Sequence, residues 1–87
     1  MPHLSLQELD KILAKAKKKV EVGGVYYHYK NPNKYYVVEF VGFIEESNTP
    51  CVIYRALYGK GIVWVRTLEV FLSKVDGKKR FNKVNGQ

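Results

Sequence analysis

A mostly β domain, with five antiparallel strands rolled into a small SH3-like barrel behind an N-terminal α-helix, is the fold this sequence predicts. Three observations carry that expectation. A capped segment with apolar residues every three or four positions comes first and stops at Gly23-Gly24. Beyond it, Val, Ile and Tyr gather into runs broken by Asn, Pro and Gly, the grammar of strands and turns. The whole chain has 87 residues, enough for one thin core and no second one. In so short a chain, closing the sheet on itself is the economical way to remove its exposed edges.

The helix is marked at both ends. Ser5 followed by Glu8 makes a capping box, with Leu4 and Leu9 at the staple positions. Leu6, Leu9, Leu13, Ala16 and Val20 then form one narrow apolar stripe, with Ile12 beside it. Lys15, Lys17, Lys18 and Lys19 stand in the last turns, where the helix dipole favours positive charge. Residues 1–22 are read as this helix, 23–81 as the barrel and 82–87 as a flexible tail. His3 lies in a flexible start and is given no role.

Strands are expected at Val25–Lys30, Lys34–Val41, Cys51–Tyr58 and Ile62–Arg66, with a short fifth near Arg80 and Phe81. Asn31-Pro32-Asn33, Glu45–Pro50 and Gly59-Lys60-Gly61 are the turns between them. A three-residue loop at Gly59–Gly61 sets Tyr58 opposite Ile62, Ala56 opposite Trp64 and Tyr54 opposite Arg66, all on one face. Ile53, Leu57, Val63 and Val65 then form the other face, the expected core side, with Arg55 near its rim. A two-residue loop instead sets Trp64 opposite Arg55.

The formal charge is +7, concentrated in the helix lysines and in Lys74, Lys78, Lys79, Arg80 and Lys83. Such clusters meet phosphate or simply keep a small basic protein soluble. Cys51 is the lone cysteine, so an internal disulfide and a cysteine-based zinc site are excluded. It reads as a small buried hydrophobe. Neither a metal nor a cofactor is expected. No charged leader with an apolar stretch opens the sequence, and no run approaches the ~20 apolar residues of a membrane span. A cytoplasmic address without membrane contact is expected.

The candidate site residues follow from charge in apolar surroundings. Arg55 and Arg66 lie in valine- and isoleucine-rich strands, where a guanidinium must reach water, an acid or a bound anion. Glu69 is the nearest acid in sequence and the expected partner of one of them; Glu39 sits in another strand. Trp64 is scaffold or a stacking surface, and is expected to be at least partly covered. His28, between Tyr26 and Lys30 on one strand face, is the remaining polar candidate. As a base, alone or with Glu69, it lacks a nucleophile, a phosphate-cradling glycine loop or a paired carboxylate beside it.

Taken in order, Gly24-x-Tyr26-x-His28-Tyr29-Lys30, Tyr54-Arg55-x-Leu57-Tyr58, Trp64-Val65-Arg66-x-Leu68-Glu69-x-Phe71 and Arg80-Phe81 resemble the short bacterial domain of unknown function, family 1653. The likeness spans Gly24 to Phe81. Thr67 stands where that family usually has proline, and Val70 where methionine is common; the helix before Gly24 is longer than the family's usual start. The resemblance implies a small β-barrel without an assigned activity. It points to His28, Lys30, Tyr54, Arg55, Trp64, Arg66, Glu69 and Arg80 as the matching polar and aromatic positions.

The function expected first is a non-catalytic binding module for single-stranded nucleic acid or a nucleotide-like anion. The alternatives are a protein-interaction or structural accessory domain, as a monomer or weak homodimer, and a small hydrolase or transferase using His28 and Glu69.

Overall fold

The computed structural model describes residues 4–84; His3 falls outside that span. The Ser5 hydroxyl accepts the Glu8 N–H at 3.2 Å and the Glu8 carboxylate accepts the Ser5 N–H at 3.0 Å, closing the capping box. Helix α1 runs Leu6–Lys19, with Lys17, Lys18 and Lys19 in its last turn. Its stripe is buried unevenly. Ala16 and, just past the helix, Val20 are fully buried; Leu9, Ile12 and Leu13 are half-buried, and Leu6 is 80% exposed. Only the C-terminal end of the helix is sunk into the core. Gly23 then turns the chain at φ +86°, a conformation open to glycine, and donates its N–H to the Val38 carbonyl at 2.7 Å.

Four strands follow as a meander: β1 (Val25–His28), β2 (Asn31–Ile44), β3 (Thr49–Ala56) and β4 (Val63–Thr67). The first reversal falls at Tyr29-Lys30, ahead of the predicted Asn31-Pro32-Asn33 turn, and the Lys30 N–H donates to His28 Nδ1 at 3.2 Å across it. The short helix α2 (Leu68–Phe71) comes next, then β5 (Lys74–Val75) and β6 (Lys78–Lys79), joined by Asp76-Gly77 with both residues at positive φ, as tight hairpin turns favour. Strand β7 (Phe81–Lys83) returns to pair with β1, so Asn82 and Lys83, expected in the tail, belong to the sheet. Residues 85–87 of that tail lie outside the described span. Among the described residues no helix is long and apolar enough to cross a membrane.

The five-stranded antiparallel sheet has the order β4-β3-β2-β1-β7 and does not close. The expected SH3-like barrel is therefore corrected to an open sheet whose edges, β4 and β7, do not pair with each other. Side chains occupy the seam where a barrel would have ladder hydrogen bonds. Phe81 on β7 stacks on Phe71 with ring centroids 4.2 Å apart, and the Arg66 guanidinium from β4 lies 5.6 Å from the Phe81 ring. With rings and a guanidinium between them, and only three residues in β7, the two edges cannot approach to the ~4.8 Å of a paired ladder.

The central hairpin follows neither predicted register. Tyr54 faces Trp64, Val52 faces Arg66 and Arg55 faces Val63. The slip from the three-residue-loop pairing is two positions along one strand. Because side chains alternate with period two, Tyr54, Ala56, Trp64 and Arg66 still share a face. The core side is inverted, however. The buried cluster is Val20, Tyr26, Val38, Val52, Tyr54, Phe71 and Phe81, on the aromatic face that α2 and the end of α1 cover. The expected core residues Leu57, Val63 and Val65 are exposed on the other face, with Ile53 half-buried. A bulge at Glu39, where β2 pairing passes from Val38–Tyr54 to Phe40–Ile53, shifts the alternation by one residue, so that Val38 before it and Val41 beyond it both face the core.

Candidate ligand pocket in the sheet seam

The unpaired seam also holds a concavity. A pocket of ≈ 380 Å³ is lined by His28, Tyr36, Tyr54, Tyr58, Trp64, Val65, Arg66 and Phe81. Strand pairing assembles it from distant segments: His28 stands opposite Phe81 across β1 and β7, and Tyr54 opposite Trp64 across β3 and β4. Tyr36 is packed edge-on against Tyr54, Tyr58 and Phe81, with centroids 5.4, 5.5 and 6.1 Å away. Trp64 lies at the edge strand, 49% exposed, so much of its indole remains available for stacking.

Arg66 is held from two sides. Its Nε–H donates to the Tyr54 hydroxyl at 2.9 Å, and its guanidinium lies against the Phe81 ring. No Asp or Glu lines the pocket. Among the described residues the ion pairs are Arg55–Glu39 and Lys83–Glu21, so the Arg66 charge is set by a phenol and a ring rather than neutralised by a carboxylate. Lys34 adds positive charge above Tyr58, its Nζ 5.0 Å from the ring centroid.

His28 is kept neutral in this setting. Burial lowers its pKa, and the positive charges of Arg66, Arg80 and Lys30 lower it further. Its Nδ1 accepts the Lys30 N–H, so the proton of the neutral ring sits on Nε2, which makes that nitrogen a donor. The Tyr36 and Tyr58 hydroxyls share a 2.6 Å hydrogen bond. Burial and that bond push the Tyr36 pKa up to about 12. Burial also raises Tyr54, with the Arg66 hydrogen bond acting against it.

Four of the residues singled out from the sequence, His28, Tyr54, Trp64 and Arg66, meet in this pocket. Arg80 stands just before β7, its Nε–H donating to Ser73 Oγ at 3.0 Å, and contributes positive field at His28. Lys30 is exposed in the β1–β2 turn and does the same. Arg55 points to the opposite face, where it pairs with Glu39 at 3.0 Å and donates to the Gly61 carbonyl at 2.9 Å. Glu69 is exposed on α2, pairs with neither arginine and does not line the pocket; the expected arginine–Glu69 pair is corrected to Arg55–Glu39. Sequence reasoning left out Tyr36, Tyr58 and Phe81. Tyr58 has the parity of Tyr54 and was within reach; Tyr36 depended on where the β1–β2 turn falls.

The lining offers hydrogen-bond donors, a fixed cation and ring faces, but no Ser, Thr or Cys nucleophile. Cys51 is buried in β3, and burial pushes its thiol pKa up, away from thiolate chemistry. Among the described residues no three His, Cys, Asp or Glu side chains gather as a metal site.

Neither a curated protein nor a solved structure matches the chain. Residues 24–83 match the family described as a protein of unknown function, DUF1653. That span holds every residue lining the seam pocket and leaves α1 before it. With well over half of its length matched, the chain belongs to the DUF1653 family.

Proposed function

We propose that this domain is a non-catalytic binding module whose seam pocket receives the planar ring and anionic group of a nucleotide, free or within a short single strand. The observation that carries the reading is Arg66, a guanidinium oriented by Tyr54 and Phe81, unopposed by any carboxylate in the lining, beside a half-exposed tryptophan. A guanidinium already fixed in place loses little freedom when an oxyanion docks, so more of the contact energy is kept. The Nε2–H of neutral His28 supplies a second donor, and Lys34, Lys30 and Arg80 set a positive approach around it.

The magnitudes say how strong such binding is. Base–aromatic stacking contributes about 1–3 kcal/mol per base, and a hydrogen bond to a charged group about 1.5–3 kcal/mol. Their sum places a single nucleotide between roughly ten millimolar and some tens of micromolar. Affinity would rise along a strand as further phosphates met the flanking lysines. The hydrolase reading loses its acid, since Glu69 stands on α2 outside the pocket.

Trp64 is the sole tryptophan, so its fluorescence reports the pocket directly. Titration with mononucleotides and short single-stranded oligonucleotides at low salt should quench it, with the response weakening as salt rises. The Arg66→Ala variant should lose the response while Arg55→Ala keeps it. An unchanged Trp64 signal and unchanged backbone amide spectra at low salt, with ligand in the millimolar range, would remove this function.

A further inference from the structure

The outer face of the sheet is apolar, exposed and almost free of net charge, although the chain carries +7. The strand register lines up Phe40, Ile53 and Val65 in one row across β2, β3 and β4, with Phe40 64% and Val65 58% exposed. The row beside it is Val37, Arg55 and Val63, and there the Arg55 charge is neutralised by Glu39 from the bulge. Neither helix covers this side, because Val20 and Phe71 both belong to the inner cluster. A sheet normally buries one apolar face and hydrates the other; here the second face is apolar as well. Contiguous exposed patches of this kind mark interaction surfaces.

We propose that two copies of this chain pack outer face to outer face, with the Phe40–Ile53–Val65 rows crossing about a two-fold axis. Charge selects the second copy over other occupants. Most of the lysines lie elsewhere: on α1, around β5 and β6, and over the inner face, where Lys34 covers Tyr58 and Lys83 bonds Glu21. An acidic partner would be drawn to those surfaces, whereas like-charged copies repel least through the neutral one. A row of three apolar side chains is self-complementary, as a two-fold interface requires, and two such faces stack ~10 Å apart as in sandwich proteins. Val65 is common to this row and to the seam-pocket lining, but Tyr36, Tyr54, Trp64, Arg66 and Phe81 lie on the inner side, so that wall of the pocket stays open in the dimer.

Sedimentation velocity of the full chain across micromolar to millimolar concentration tests this. A concentration-dependent monomer–dimer equilibrium is expected, tightening as salt screens the repulsion between the two copies. Phe40→Lys and Val65→Lys should each weaken dimerisation by about a hundredfold or more, because each sets like charges against the partner's apolar face. Leu6→Lys, which removes a still more exposed apolar side chain on α1, should leave it unchanged. A chain that remains monomeric throughout, a dimer that survives the Phe40→Lys/Val65→Lys double substitution, or one that Leu6→Lys or added salt dissociates would overturn the proposal.

Discussion

Arg55 and Arg66 belong to the same hairpin and leave it on opposite faces, in opposite circumstances. Arg55 meets the Glu39 carboxylate and the Gly61 carbonyl, so its charge is neutralised and its donors are engaged by the protein. Arg66 meets a phenol and a ring, which hold its position and leave its charge in place. The difference originates outside the hairpin. The bulge in β2 brings Glu39 to Arg55, while the return of β7 brings Phe81 to Arg66. Two arginines set in apolar strands of one hairpin thus acquire a structural and an available role from distant segments, and charge alone does not tell a site from a scaffold.

The largest effect is expected where the Arg66 environment is dismantled from behind. Phe81 is 6% exposed and stacked on Phe71, so Phe81→Ala should cost about 3–5 kcal/mol in urea unfolding. It should also release Arg66 from its ring. A loss below ~1 kcal/mol would mean that the seam is not part of the folded core. Next comes the paired test of the arginines. Arg66→Ala should weaken nucleotide binding at least about tenfold, in line with one lost charge-assisted contact, and Arg55→Ala should leave binding within twofold or so of wild type. Equal losses in the two variants would erase the distinction between the faces.

Acidity offers a smaller perturbation with a definite sign. Because His28 has a lowered pKa in the fold, the unfolded chain takes up its proton first as pH falls below about 6.5. Stability from this group is complete above that pH and is lost as pH drops through the window between the unfolded and the lowered folded value. His28→Gln should therefore flatten the decline in melting temperature between pH 7 and pH 5; an unchanged slope would show that His28 is not held neutral. Smallest of all is the Arg55 pair itself. Both of its partners are partly exposed, so Glu39→Gln should change unfolding free energy by no more than ~1 kcal/mol. Glu69→Gln, which breaks no ion pair among the described residues, should stay within ~0.5 kcal/mol.

The start of α1 was legible in the sequence because the Ser5–Glu8 box is local. The grouping of Tyr54, Ala56, Trp64 and Arg66 on one face was legible because alternation survives a two-residue slip. Which face would be buried was not. Valine and isoleucine pointed to the Val63–Val65 side, yet the tyrosines went inside because their hydroxyls find partners there. Tyr26 accepts the Glu21 N–H at 3.0 Å, Tyr54 accepts Arg66, and Tyr36 bonds Tyr58. Those partners lie on other segments and leave no mark in strand periodicity. Barrel closure failed for a related reason: it depended on what fills the space between β4 and β7, and although Arg66 stood out as a charge in an apolar strand, nothing local placed it against Phe81 in the gap.

The order of the strands carries a consequence for synthesis. The meander from β1 to β4 needs only neighbouring segments and can pair as it leaves the ribosome, but β7 must return to β1 from the far end of the matched region. Until residue 81 emerges, Phe71 and Tyr54 lack the ring that covers them, and Arg66 has only the Tyr54 hydroxyl to hold it. A released chain truncated within the Lys74–Arg80 stretch would expose aromatic surface to chaperones and proteases, whereas one only a few residues longer would cover it. The seam pocket is thus completed in a single late step, when one phenylalanine arrives.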